Sequence, residues 1–374
     1  MERNEINEID VGAGDERGQR IDPERRRGRA AISNRASRYD LQRVEENDGW
    51  DMAEERAVFR TSVALEEPRS VISRNTSPDL PFDRSVNPYR GCEHGCIYCF
   101  ARPTHSYLGY SAGLDFETRL VAKPNAPEVL ARELRRKGYR VAPIALGTNT
   151  DPYQPLERDH EIMRQVLQVL RDFRHPVQIT TKGTLIERDL DILSEMADLG
   201  LVQVGVSVTT LDNRLSRLME PRVPMPSRRL ATMRKLSEAG VPVRLMMSPV
   251  VPSITDHEVE AIVGASAEAG AQAMNWIMLR LPLEVSELFQ EWLESHFPDR
   301  AARVMARVRE MHGGQDYDAQ FGRRMRGEGH YAEMIAHRVK LAQRRFGLAR
   351  DMPRMRCDLF APPLGTAQQP SLFD

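Results

Sequence analysis

Cysteine is scarce in this chain, which carries four among 374 residues. So few thiols, three of them crowded together, exclude the paired framework that staples small secreted domains. Long apolar runs are missing too. No stretch approaches the roughly eighteen residues of a membrane helix, and the opening Met1-Glu2-Arg3-Asn4-Glu5 is too polar for a secretory signal. Charge of one sign is likewise absent: 53 Lys and Arg against 54 Asp and Glu leave a net charge of −1, so bulk charge selects no partner. What is left is a chain expected in a reducing cytoplasm and off the membrane, with 41% hydrophobic residues. Its length suits one large catalytic domain with appendages, or two domains.

The cysteines organise what is there. Cys92, Cys96 and Cys99 stand in a C-x3-C-x2-C array within Gly91-Cys92-Glu93-His94-Gly95-Cys96-Ile97-Tyr98-Cys99, and Cys357 lies far downstream. Thiolate is the soft ligand that iron–sulfur clusters take, so three on one short loop can hold three irons of a [4Fe–4S] cluster. One iron is then left open to a ligand that is not protein. A structural zinc site wants four closed ligands and would have to recruit His94, His105 or Cys357 beside the triplet. A disulfide leaves an odd thiol.

Composition divides the chain. Residues 1–80 are charged and polar, too poor in apolar side chains to offset the entropy of ordering, so a largely disordered arm is expected. It carries Arg25-Arg26-Arg27-Gly28-Arg29, then Arg35 and Arg38, a basic run that can hold phosphates or simply stay solvated. Over 81–283, strands alternate with amphipathic helices. Strands are predicted over 84–89, 141–147, 177–181, 202–208, 243–247 and 273–281. Helices are predicted from Pro127 to a stop at Gly138, around Ile162 to Phe173, over 186–199, from a Ser227 cap to Gly240, and over 256–269. Six such steps fit an open (β/α)6 partial barrel, with a doubly wound sheet as the alternative; either places ligands at the carboxyl ends of the strands. Over 284–360 the chain turns helical, with Arg323, Arg324, Arg326, Arg338, Lys340, Arg344 and Arg345 giving basic surfaces to a cover or a lid. The tail, 361–374, ends in Gln369-Pro370-Ser371-Leu372-Phe373.

The cysteine spacing, with an aromatic residue before the last cysteine, resembles the cluster loop of the radical S-adenosylmethionine superfamily. Asn87-Pro88-Tyr89-Arg90-Gly91-Cys92, Tyr98, Thr150-Asp151-Pro152-Tyr153-Gln154-Pro155, Thr181-Lys182 and Ser248-Pro249-Val250-Val251-Pro252 are similar to its spore photoproduct lyase-like, "DNA repair photolyase" branch. The resemblance spans about Asp83 to Pro282. It implies a partial barrel, a [4Fe–4S] cluster on Cys92, Cys96 and Cys99, and S-adenosylmethionine on the open iron. An external donor's electron would cleave the sulfonium to methionine and a 5′-deoxyadenosyl radical, which takes hydrogen from the substrate. By the same resemblance Tyr98 lies beside the adenine, and Asn149, Thr150 and Asp151 lie where the amino group is received. Lys182 pairs with the carboxylate, and Ser207 faces the carboxylate or ribose. Two departures stand out. The superfamily's Gly-Gly-Glu motif after strand two is absent, and Thr148 occupies the place of the hydrogen-donating cysteine of spore photoproduct lyases, so thymine-dimer reversal by that route is not expected.

Function follows as an expectation: a radical enzyme acting on a nucleic acid, DNA before RNA, with repair as the setting. Competing readings are the same radical on a tRNA, protein or small molecule, and a cluster- or zinc-bearing module that docks on DNA without turnover. Gln369, Leu372 and Phe373 are similar to the short peptides by which bacterial proteins dock on the DNA sliding clamp. The residue that delivers hydrogen back to the substrate is not legible.

Overall fold

The computed structural model describes residues 20–39 and 59–363. Within them ten strands and eleven α-helices follow one another in this order: β1 (Ser62–Leu65), β2 (Ile72–Arg74), β3 (Arg84–Val86), β4 (Tyr89–Arg90), α1 (Asp115–Thr118), β5 (Arg119–Ala122), α2 (Ala126–Leu134), β6 (Ile144–Leu146), α3 (Glu157–His160), α4 (Ile162–Asp172), β7 (Val177–Thr181), α5 (Leu190–Asp198), β8 (Val202–Ser207), α6 (Asn213–Met219), α7 (Pro226–Glu238), β9 (Val243–Val250), α8 (Val259–Glu268), β10 (Ala273–Met278), α9 (Glu284–His296), α10 (Pro298–Met311) and α11 (Gly329–Phe346).

Strands β3, β6, β7, β8, β9 and β10 pair in parallel and in strict chain order, with β2 antiparallel at the β3 edge. A doubly wound sheet would reverse that order at a switch point; the partial (β/α)6 arrangement is the one present. Alternation along the strands sorts the residues onto two faces. Val177 and Ile179, then Val202, Val204 and Val206, then Val243, Leu245 and Met247 pack into one core with Leu167, Ile192, Met233 and Ile262 of the helices. The opposite face carries Gln178 and Thr180, Gln203, Gly205 and Ser207, Arg244 and Met246, which are cross-strand neighbours by register. A polar concave face is what a ligand cavity requires, in contrast to the apolar layers filling a closed barrel.

Several predicted elements shift. The first predicted strand splits, because Tyr89 and Arg90 leave the main sheet to pair with β5 in a second, three-stranded sheet (β1-β5-β4). The helix predicted over 186–199 begins as a 3-10 turn, Thr184–Asp189, before α5. Likewise 3-10 residues Asp256–Glu258 precede α8. Helix α7 starts at Pro226, so Ser227 lies inside its first turn and is not the cap. Helix α6 was not legible from periodicity.

The arm expected to be disordered is ordered in part. Ile21, Ala30, Ala31, Ile32 and Arg29 are buried. Arg29 donates to the Glu117 carbonyl at 2.7 Å, and the Ala30 and Ala31 amides donate to the Glu117 carboxylate. Arg35 pairs with Glu287 and Glu291, and Arg38 with Glu284, all on α9. The composition argument weighed the segment's own apolar residues and could not weigh acidic partners some 250 positions away. The basic run is thereby partly committed within the protein.

The carboxyl-terminal region covers two openings. Residues around Met325 lie along the free edge of β10, where the Met278 amide donates to the Met325 carbonyl. Arg324 and the Gly322 amide both reach Asp79, beyond β2 on the opposite edge. At the amino ends of the strands, Ala349 bridges Ala273, the Arg356 amide donates to the Gly200 carbonyl, and Ala361 donates to Phe173. Among the described residues no helix is long and apolar enough to cross a membrane. The clamp-like Gln369, Leu372 and Phe373 lie outside the described residues.

Candidate active site

The cysteine loop leaves the carboxyl end of β3 by way of β4 and bends at Gly91 (φ 71°) and Gly95 (φ 64°). A Cβ on Gly95 would meet the Glu117 carboxylate oxygen at 2.7 Å, so glycine is required there on two counts. Arg102, fully buried, fixes the loop from behind. Its guanidinium donates to the carbonyls of Gly95, Cys96, Ala112 and Gly113 and to Glu117. Gln154, also fully buried, closes the other side: it accepts from the Glu93 amide at 2.8 Å and donates to the Gly91 carbonyl. The loop is thus held by carbonyl-directed donors that leave the thiols free.

Cys92 and Cys96 are buried, Cys99 is half-buried, and none is in a disulfide. Burial pushes all three thiols up, with Asp151 and Cys96 adding to it at Cys92, and Glu220 and Cys99 adding to it at Cys96. Three neighbouring protonated thiols, two buried and one half-buried, are a donor set that a cationic metal cluster would deprotonate and occupy. Among the described residues no three His, Cys, Asp or Glu side chains converge on one single-ion position, whereas a cuboidal cluster holds its thiolates further apart. The three soft thiols fit such a cluster. Cys357 follows Arg356, which is bonded at the amino ends of the strands, and senses Arg84 at the start of β3. It lies at the opposite end of the sheet from the triplet and cannot close the fourth corner.

Around the loop the predicted residues are brought to one rim. Asp151, after β6, is a buried junction. It accepts from the Thr181 hydroxyl at 2.6 Å, from the Lys182 amide at 2.7 Å and from the Tyr153 amide at 2.9 Å, with His94 Nδ1 at 3.3 Å. Burial alone would raise this carboxyl; His94, Thr181 and the Lys182 amide more than offset that and bring it down to about 2. Its carboxylate thus joins β6, β7 and the cysteine loop. Thr150 is buried, donating to the Tyr89 carbonyl at 3.3 Å. The Asn149 amide is accepted by Asn87, whose own amide donates to Thr148.

Lys182 holds its ammonium 5.7 Å above the Tyr98 ring and, among the described residues, has no carboxylate within ion-pair reach. Tyr98 is buried and donates to Glu220, a residue the sequence did not single out. Glu220 also accepts from Thr209 at 2.7 Å and pairs with Arg229 at 2.8 Å, both members of the pair fully buried. Arg229 in turn donates to the Ser207 carbonyl and to Ser216. Burial would raise the Glu220 carboxyl; Arg229 and Lys182 hold it below the usual carboxylate range. Charges inside helices and turns carry no periodic signal, which is why Glu117, Glu220, Arg102 and Arg229 were missed. Their polar identity beside apolar neighbours was the one available cue.

A parallel half-barrel with three thiols on the exit loop of its first strand defines an α/β protein with its candidate site at the strand carboxyl ends. The chain belongs to the Radical SAM superfamily, whose profile matches residues 86–265, a family that uses a [4Fe–4S] cluster and S-adenosylmethionine. An uncharacterized protein of Mycobacterium tuberculosis is 38% identical over 274 residues, 73% of this chain and 77% of the relative. One from Methanocaldococcus jannaschii is 27% identical, covering 57% of this chain and 76% of the relative. Spore photoproduct lyase complexed with dinucleoside spore photoproduct superposes with a TM-score of 0.56 at 12% identity, over 76% of this chain and 79% of that one. A variant of the same lyase with bound AdoMet gives 0.50 at 13% identity, over 76% and 77%. At that identity the likeness is one of fold.

Proposed function

We propose that the protein is a radical enzyme that takes hydrogen from a nucleic acid, DNA before RNA, in lesion repair, and that it works in a reducing cytoplasm with an external electron donor. The observation that carries the catalytic part is the three-thiol site whose only other cysteine lies across the molecule. In this reading Cys92, Cys96 and Cys99 hold the cluster. Bound there, the cluster and S-adenosylmethionine supply a 5′-deoxyadenosyl radical by one-electron cleavage of the sulfonium. Lys182 pairs with the methionyl carboxylate as a charge-assisted donor. Tyr98, fixed through Glu220, forms the wall beside the adenine, and Ser207 and Asn149 line the rim. Thr150 and Asp151 act as positioning residues.

The nucleic-acid part is supported by the rim motifs similar to the lyase branch and by the dinucleoside lesion held in the lyase structures of like fold. Thr148, bonded to Asn87, has no thiol hydrogen to give, so the outcome for the substrate differs from that route. Anaerobic turnover with deuterated DNA tests the reading: label should appear in 5′-deoxyadenosine. Transfer from deuterated tRNA alone would redirect it to RNA, and transfer from neither would end it.

A further inference from the structure

Two cations at the rim lack a carboxylate partner among the described residues. Lys182 is one, and the proposed function gives it an anion. The other is Arg280, just beyond β10. Its guanidinium lies 4.8 Å above the ring of Phe100, the residue following Cys99. Among the described residues its one hydrogen bond runs to the Met325 sulfur at 3.0 Å, a weak acceptor. Asp79 is near but already takes Arg324 at 2.7 Å and the Gly322 amide at 2.8 Å. Phe100 is 49% exposed, a large apolar ring left open beside the cysteines.

A half-buried guanidinium without an anion costs free energy that an incoming anion would recover. Its fork matches the two non-bridging oxygens of a phosphodiester, and an exposed ring next to it accepts a stacked base. We propose that Arg280 and Phe100 form the subsite that grips one phosphodiester and its adjoining base, setting a nucleic-acid strand at the mouth of the site. This rests on the nucleic-acid reading above and adds the residues that would carry it.

The test is equilibrium binding of fluorescein-labelled single-stranded DNA and RNA oligonucleotides to the full chain, with its cluster, across a salt series. Arg280→Gln should weaken binding several-fold and lower the slope of log affinity against log salt by about 0.7, and Phe100→Leu should weaken binding with the slope unchanged. Arg307→Gln, an equal charge loss on α10 where Arg307 pairs with Glu310, should do neither. If Arg280→Gln behaves like Arg307→Gln, the subsite is refuted; a shift in cluster reduction potential alone would mean that Arg280 only offsets cluster charge. If wild type binds neither oligonucleotide, the nucleic-acid reading itself falls. A stronger loss with DNA than with RNA, or the reverse, names the strand.

Discussion

Arg102 and Glu117 form an ion pair at 2.6 Å with neither side chain exposed, and through it the cysteine loop is tied to the amino-terminal segment. Arg102 holds two carbonyls of the loop, and Glu117 holds the amides of Ala30 and Ala31. Three parts of the chain, near residues 30, 95 and 117, therefore share one buried charge pair.

Removing one member leaves the other buried and unpaired. Glu117→Gln is expected to cost about 3–5 kcal/mol and to lower iron content after anaerobic reconstitution, read by denaturant unfolding and iron analysis. Deleting residues 1–39 should reproduce part of the iron loss with Glu117 intact, because Arg29, Ala30 and Ala31 no longer brace it. Unchanged iron and stability in both variants would show that the loop needs no such brace.

The thiols separate by end of the sheet. Cys92→Ala, Cys96→Ala and Cys99→Ala should each abolish the brown colour and reductive cleavage of S-adenosylmethionine, whereas Cys357→Ala should retain full iron and full cleavage. Iron and sulfide analysis with visible spectroscopy decides. Loss of cluster in Cys357→Ala would contradict its placement at the amino ends of the strands.

Much of the layout was legible because it is periodic. The six strands and the helices between them repeat, and apolar residues such as Val202, Val204 and Val206 mark the helix-facing side. The cysteine spacing was legible because the chemistry needs it locally. The amino-terminal brace was not, since Arg35 and Glu291 are distant in sequence and neither belongs to a pattern. Tyr98 was visible as an aromatic in the motif, but its bond to Glu220 arises only when α6 folds over the loop. The Thr-Asp pair after the second predicted strand marked Asp151 in the sequence, whereas its bonds to Thr181 and the Lys182 amide depend on how β6 and β7 lie side by side and leave no local pattern.

Stability should fall in mild acid through two buried histidines. Burial pushes His105 and His175 down to about 4. His175, with no exposed surface, lies 2.8 Å from the Tyr139 hydroxyl through Nε2 and 2.9 Å from the Pro176 carbonyl through Nδ1. A folded value below the unfolded one means that the unfolded chain binds more protons. The contribution is complete above about 6.5 and is lost as pH falls from there to about 4, by up to about 3 kcal/mol for His175. Denaturant midpoints across that window should drop with pH, and His175→Phe should flatten the drop by a comparable share. An equal slope in His175→Phe would refute the assignment.

The edge clasp gives a sharper local prediction. Arg324 and Asp79 join the cover along β10 to the loop beyond β2 at 2.7 Å, with Ser77 as a further acceptor for Arg324. The pair is mostly shielded from solvent, so Asp79→Asn should lose about 1–3 kcal/mol, the range for a hydrogen bond to a charged group or a buried partner left unmet. The loss should be local, because the two edges lie at opposite ends of one sheet and each stays anchored by its own strand pairing. Amide exchange in 320–326 should therefore quicken while that of β7 and β8 is unchanged. Because Arg324 and Asp79 both lie near Arg280, Asp79→Asn removes a negative charge there and frees Arg324, so oligonucleotide affinity should rise with a steeper salt slope. Quickened exchange throughout the sheet would instead mean that the clasp holds the whole half-barrel closed.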